Sequence, residues 1–438
     1  MNNIIGLRRE DKNPWEKRVP LIPSHIRELV KDQGLKFIVQ PSPIRIFADD
    51  DFKLEGAKIQ ENMSSATIIL GIKEMPESFF EKEKTYVFFS HTIKGQSSNM
   101  SMLRRIRDMK CTLIDYERIV DEKGRRLVFF GRQAGSAGMV ESLWALGRRL
   151  DAEGQAHPFA SLRRMTEYQS LVEAKEEVDE IGESIRRDGL PADLVPFICG
   201  FAGYGHVSQG AQEVYDILPV IEIVPEEFSD FIRSGNFSAH RVYKIVFREE
   251  HLVRPRSANR AFVLQEYYDH PEDFVPVLEP YLPHLTVLIN GVYWAPAFPH
   301  FVSKTFIKEL FGGPTAPRLR ILGDISCDIE GAIECTVKAT DPHDPVFVYD
   351  PIRDAAVDGV AGPGPVVMSV YNLPAEIPLE SSVFFSQSLM PFLPALARAD
   401  FGACLDACQL PAPMKRAMIL FRGEFTPAYE FMKAFLRA

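Results

Sequence analysis

Long hydrophobic runs are missing from this chain. None approaches the ~20 apolar residues that cross a bilayer, and the polar start MNNIIGLRREDKN carries no signal-peptide core. A cytoplasmic protein without a membrane partner is the expectation. Cysteine is scarce, with six in 438 residues. The closest pair, Cys404 and Cys408, has three residues between its members where zinc and redox motifs have two. That argues against a metal site and predicts buried, reduced thiols. Positive charge is outnumbered: 50 Lys and Arg against 60 Asp and Glu leave a net charge of −10, the wrong sign for a polyphosphate backbone. Nucleic acid is not an expected partner. Internal repeats and low-complexity tracts are absent as well.

What is present is the composition of a folded protein, 46% hydrophobic and 25% charged, and a length that suits two domains. Short apolar runs alternate with helical patterns. Ile4–Leu7 reads as a strand, followed by a helix from Ser24 to Asp32 capped by Ser24, then strands in KFIVQ, ATIILGI, TYVFFS and CTLIDY. A second alternating region runs through VPFICGF, a helix from about Ser208, PVIEIV, YKIVF, TVLING and RLRILGDIS. Alternation of this kind predicts an α/β fold: two Rossmann-like lobes, each a parallel sheet flanked by helices, with an interdomain cleft.

In VPFICGFAGYGHVSQGAQEVYDIL, Gly203 and Gly205 follow an apolar strand and precede a helix. Glycines there allow a tight turn and the close approach of a pyrophosphate to a helix N-terminus. Ser208 stands at the third glycine position, and Gly210 comes two residues later. After PVIEIV come Glu226 and Glu227. An acid in that place bonds a ribose hydroxyl and favours NAD, but surface acids fit equally, so NAD against NADP stays open.

In the first region, polar residues fall at the C-terminal ends of strands: Lys73 and Glu74 after ATIILGI, His91 after TYVFFS, Glu117 after TLIDY. Parallel sheets bring those ends to one edge. A lysine, a histidine and carboxylates together suit amine and carbonyl chemistry, whose steps each move a proton near neutral pH. Arg18, in the loop NPWEKRVPLIP, is a candidate for gripping a substrate carboxylate, because guanidinium binds carboxylate through two parallel bonds. Arg8 and Arg9 share that potential, but Glu10, Asp11 and Lys12 around them suggest a solvated loop. Arg125 and Arg126 flank a turn at Gly124 and are weaker candidates.

The segments LRREDKNPWEKRVPLIPSH, ILGIKEMPE, FFSHTIKGQSSNM, GRQAGSAGM, GHVSQGAQE and GDISCDIEGAIE resemble the lysine-ketoglutarate reductase half of the aminoadipic semialdehyde synthases. The pieces around Arg18, Lys73 and His91 more distantly resemble lysine-forming saccharopine dehydrogenases and alanine dehydrogenases. The resemblance covers nearly the whole chain. It implies reductive condensation of L-lysine with 2-oxoglutarate to saccharopine, with NADPH, or alternatively NADH, as cofactor. It also implies a catalytic domain of residues 1–133 completed by 340–438, around a dinucleotide-binding domain of residues 134–339, with the active site in the cleft between them. By position, Lys73 and His91 match the acid–base pair, and Arg18, Glu74, Glu117, Arg126 and Asp328 match substrate-site residues. Gly203, Gly205, His206, Val207, Ser208 and Asp324 match the cofactor site.

There are departures from the family pattern. His206 stands where relatives have asparagine, the stretch Met165–Gln169 differs from theirs, and no saccharopine-cleaving domain follows, so that step is expected from another chain if it is coupled at all. The expected partners are the two small-molecule substrates, and a homo-oligomer is compatible with the sequence. Two other readings are a related dehydrogenase using another amine or ammonia, and a nucleotide-binding sensor that has lost the chemistry.

Overall fold

The computed structural model describes residues 3–257 and 259–436. The chain forms two compact units. One holds the chain up to Phe130 and from Pro378 onward, the other Gly131–Ile377.

The first unit is built on an eight-stranded sheet in the order Glu424–Phe425, Met418–Phe421, Thr112–Asp115, Thr85–Phe88, Ile68–Leu70, Ile4–Leu7, Lys36–Val39, Lys58–Ile59. All neighbours from Thr112–Asp115 to Lys58–Ile59 run parallel, and the two late strands add antiparallel at one edge. Thr85–Phe88 and Ile68–Leu70 are buried at every position, which is why they read as unbroken apolar runs and not as alternation. The helix Ser97–Asp108 buries Met100, Leu103 and Ile106, a three-residue spacing that keeps one stripe inward. The first helix spans Pro23–Gln33 and closes at Gly34, whose φ of 65° lets its N–H reach the Val30 carbonyl. Ser24 is not its cap. Proline takes the first helical position, and the N–H of Ile22, the residue before it, is held at 3.0 Å by the hydroxyl of Ser386.

The second unit carries an eight-stranded sheet in the order Ala355–Asp358, Val346–Asp350, Val366–Met368, Ile321–Asp324, Val287–Asn290, Ile198–Ala202, Val242–Phe247, Val220–Glu222. The core strands are parallel, and Val346–Asp350 runs antiparallel to both its neighbours. The segment 340–377 therefore belongs to this unit and not, as expected, to the first, because three of its strands extend this sheet. The helices Gly131–Ala152 and His206–Tyr215 pack backbone to backbone. A Cβ added at Gly135 would sit 1.9 Å from the Val207 carbonyl oxygen, and one at Gly210 would sit 2.1 Å from that of Arg132. A Gly135→Ala change would force these helices apart at a cost of about 1–3 kcal/mol or more.

No helix among the described residues is long and apolar enough to cross a membrane. All six cysteines are unpaired. Four are buried as expected, while Cys327 is half-buried and Cys404 exposed.

Candidate active site and cofactor loop

In the first unit the ends of three parallel strands supply the site. Past Leu70 the chain turns so that the N–H groups of Ile72 and Lys73 both point at the Glu10 carboxylate, at 2.6 and 3.0 Å. Glu10 is 5% exposed and Arg8 2%, so these two are interior, while Asp11 and Lys12 beyond them are solvated as their charges suggest. Burial, reinforced by the nearby Glu16 carboxylate, pushes Glu10 up to about 7. Next along the chain, Lys73 is half-buried. Loss of solvent and the Arg18 guanidinium pull its pKa down to about 8, against the opposing pull of Glu16 and Glu74.

Glu74 is shared between two donors. Oε1 accepts from His91 Nδ1 at 2.8 Å and Oε2 from Lys12 Nζ at 2.6 Å. Burial raises its pKa, but the hydrogen bond and charge of His91 and the Lys12 ammonium outweigh that and hold it at about 2. His91 itself sits at φ 48°, a left-handed conformation that costs a residue with a Cβ about 1–2 kcal/mol, and its carbonyl is held by the Asn99 side chain at 3.1 Å. Strain at a polar residue on a strand end is a mark of a functional position. With Nδ1 engaged by Glu74, Nε2 is the ring nitrogen left to exchange protons.

The third strand end is set by Asp115, buried completely. It accepts from the Ser90 N–H at 3.1 Å, the Ser90 hydroxyl, and the Glu117 N–H at 2.8 Å, which ties the His91 loop to Glu117. Glu117 and His91 line one small cavity of about 120 Å³, and the Glu117 carboxylate is paired with Arg126. Arg125 instead turns to Asp121 at 2.7 Å. Arg18 is 3% exposed. Its Nε and Nη2 hold Glu16 at 2.7 and 2.6 Å, and its guanidinium lies 4.4 Å over the Phe130 ring. A substrate carboxylate would have to displace Glu16 to take that edge.

In the second unit, Gly203 has φ 91°, and a Cβ there would come within 3.0 Å of Val292 Cγ1. A Cβ at Gly205 would meet nothing within 4 Å. Gly205 caps the helix His206–Tyr215 with no side chain on its first N–H groups. Such an end, reached through glycines, fits the pyrophosphate of a dinucleotide. His206 is exposed and Val207 half-buried at this end. Ser208 is fully buried and its hydroxyl binds Gln212 at 2.9 Å, so it serves as the small residue at the third glycine position, with its N–H 3.2 Å from where a Gly291 Cβ would lie. Gly203, Tyr204 and Gly205 open on a cavity of about 530 Å³ with Gly291, Tyr268 and Tyr293.

Asp324 is buried and spends its carboxylate on Asn290 (2.9 Å), Thr336 (2.6 Å) and the Cys327 N–H (3.2 Å). Burial raises its pKa to about 6. It anchors the loop that carries Asp328, which is itself half-buried.

Residues 6–137 match the family described as alanine dehydrogenase/PNT, N-terminal domain. Over 98% of the chain it is 37% identical to the alpha-aminoadipic semialdehyde synthase of Arabidopsis thaliana and 34% identical to the mitochondrial one of Rattus norvegicus. The matches cover 41% and 47% of those proteins, so the chain spans less than half of their length. It is 28% identical, over 90% of itself and 93% of the relative, to the saccharopine dehydrogenase [NAD(+), L-lysine-forming] of Yarrowia lipolytica. These likenesses are to the alanine dehydrogenase and saccharopine dehydrogenase family. A solved L-alanine dehydrogenase shares the fold over 99% of both chains, with a TM-score of 0.63 at 17% identity. The family is one of oxidoreductases and implies a nicotinamide cofactor.

The sequence does not mark Glu10 and Glu16 as site residues. Glu10 bonds residues 62 and 63 positions away, and nothing local shows it, whereas Glu16 pairs with Arg18 only two residues on.

Proposed function

We propose that this chain condenses L-lysine with 2-oxoglutarate and reduces the product to saccharopine, using a reduced nicotinamide cofactor. The observation that carries this reading is Lys73, desolvated beside the hydrogen-bonded Glu74–His91 pair, in a chain similar over nearly its whole length to proteins named for this chemistry.

The amine nitrogen attacks the 2-oxo carbon, forming a C–N bond while the carbonyl oxygen takes a proton. The carbinolamine then loses its hydroxyl as water, which needs a second proton and leaves an imine. Lys73, at about 8, exists in both protonation states around neutral pH and can deliver or accept these protons. His91, oriented by Glu74, exchanges protons through Nε2, so the two groups divide acid and base roles. Arg18 lowers Lys73 by its charge and Glu16 limits that effect. Arg126, half-exposed and paired with Glu117, is the accessible guanidinium for a substrate carboxylate. A nicotinamide cofactor held at the Gly203–Gly205 loop would supply the hydride for the imine carbon.

The test is oxidation of reduced nicotinamide by the purified chain with 2-oxoglutarate and, separately, L-lysine, L-ornithine, L-alanine and ammonia. Turnover with lysine alone is expected. Turnover with another amine would replace the substrate, and silence across the panel with cofactor bound would move the protein to a sensor. The cytoplasm is the proposed compartment; recovery in the mitochondrial fraction, as the name of the rat relative would suggest, would overturn that.

A further inference from the structure

We infer that Arg248, stacked against Tyr204, reads the 2′-phosphate of the cofactor and is the residue that separates NADPH from NADH. This rests on the dinucleotide-binding reading of the glycine loop.

In a doubly wound sheet the strand beside the glycine-loop strand ends under the adenosine ribose, and the residue at that end discriminates the two cofactors. By chain order the neighbour would be Val220–Glu222, followed by the acids Glu226 and Glu227. The sheet is ordered otherwise. Ile198–Ala202 pairs directly with Val242–Phe247, with Ala202 opposite Phe247, while Val220–Glu222 lies one strand further out. The Gly203 N–H donates to the Phe247 carbonyl at 2.9 Å, which fixes that strand end against the glycine loop. The next residue is Arg248, so a cation stands where an NAD-specific site would place a carboxylate.

The surroundings suit that role. The Arg248 guanidinium is exposed and lies 5.3 Å over the ring of Tyr204, the residue between the two glycines. No salt bridge holds it among the described residues. It lines a cavity of about 570 Å³ with Tyr204, Glu222, Glu226, Glu250 and His251. Two of those acids are occupied: Glu222 by Lys244 at 3.1 Å and Glu226 by His251 Nε2 at 3.0 Å. His251 is in turn fixed through Nδ1 by the Arg248 N–H at 3.1 Å, so one turn presents the guanidinium and ties down Glu226. Glu226 and Glu250 are the acids that work against a phosphate here. A guanidinium can face a phosphate with two parallel N–H groups and stack on a planar base, which no other side chain in this cavity does.

The decisive experiment titrates the full chain with adenosine 2′,5′-bisphosphate and with 5′-AMP by calorimetry, for the parent and for Arg248→Ala. The parent is expected to prefer the bisphosphate. The variant should lose about 10- to 100-fold in bisphosphate affinity, the worth of hydrogen bonds to a charged group, while 5′-AMP moves by less than about threefold. Arg248→Lys should fall between, since a point charge remains without the fork. Equal losses for both ligands, an unchanged bisphosphate affinity, or a parent that prefers 5′-AMP or binds neither would overturn the inference. Because these ligands are read without turnover, a chain inactive on lysine and 2-oxoglutarate that still shows the preference would refute the proposed reaction and leave Arg248 in its role.

Discussion

The two sheets share a doubly wound plan, yet their C-terminal edges are made of opposite materials. The first gathers buried Glu10, Glu16 and Arg18 with half-buried Lys73, Glu74 and His91, with pKa values pushed to about 7, 8 and 2 at Glu10, Lys73 and Glu74. The second is lined by Gly203, Gly205, Gly291 and buried Ser208, and the carboxylate at its strand end, Asp324, is satisfied by protein donors. On the proposed reading, one edge moves protons and the other lets an anion approach backbone N–H groups. A shared architecture thus says little about the task, and the residues on the edges say most of it.

If that division holds, substitutions on one edge should leave the function of the other intact. Lys73→Met and His91→Gln should each lower turnover by about 10²–10⁴-fold, the usual weight of a general acid or base, while nucleotide affinity measured by fluorescence stays that of the parent. Variants that fold and turn over as fast would show the first edge is not the reacting one. Gly203→Val should do the reverse. Strain of ~1–3 kcal/mol at φ 91° plus a side chain against Val292 should weaken nucleotide binding about a hundredfold, with the first unit's stability untouched.

Glu74→Gln tests the electrostatics. A carboxylate held near 2 where the usual value is 4.5 adds stability that is complete above pH 4.5 and lost as pH falls towards 2. The variant should be less stable at neutral pH by about 2 kcal/mol in denaturant melts and should lack the parent's decline over that acid range. The smallest effect is expected at Glu10, where burial has the opposite sign. Its raised pKa makes the parent lose stability as pH rises from 4.5 through about 7, and Glu10→Gln should flatten that slope, a change of about 1 kcal/mol at pH 8. A steeper slope would mean the two backbone N–H groups stabilise the anion more than burial opposes it.

Much of this was legible before any coordinates. Runs such as TYVFF and ICGFA are buried on both faces and so announce themselves as parallel strands, and the polar residues that end them, Lys73, His91 and Glu117, mark one edge. What could not be read is non-local. The Ile22 N–H is satisfied by Ser386, over 360 positions away, so no local cap was needed and Ser24 misled. The placement of Val242–Phe247 inside Val220–Glu222 is a matter of strand order, which periodicity does not encode, and it changes the residue beneath the ribose from an acid to Arg248. Likewise 340–377 looked like a Pro-rich return to the first unit because its strands are short and broken by turns, though they extend the second sheet.

The most direct test of the account is the pH dependence of kcat for lysine and 2-oxoglutarate, in the parent and in Lys73→Met. A limb near pH 8 in the parent that is absent in the variant's residual activity is the predicted result. The same limb in both proteins would contradict the assignment of Lys73 as the group that moves the proton.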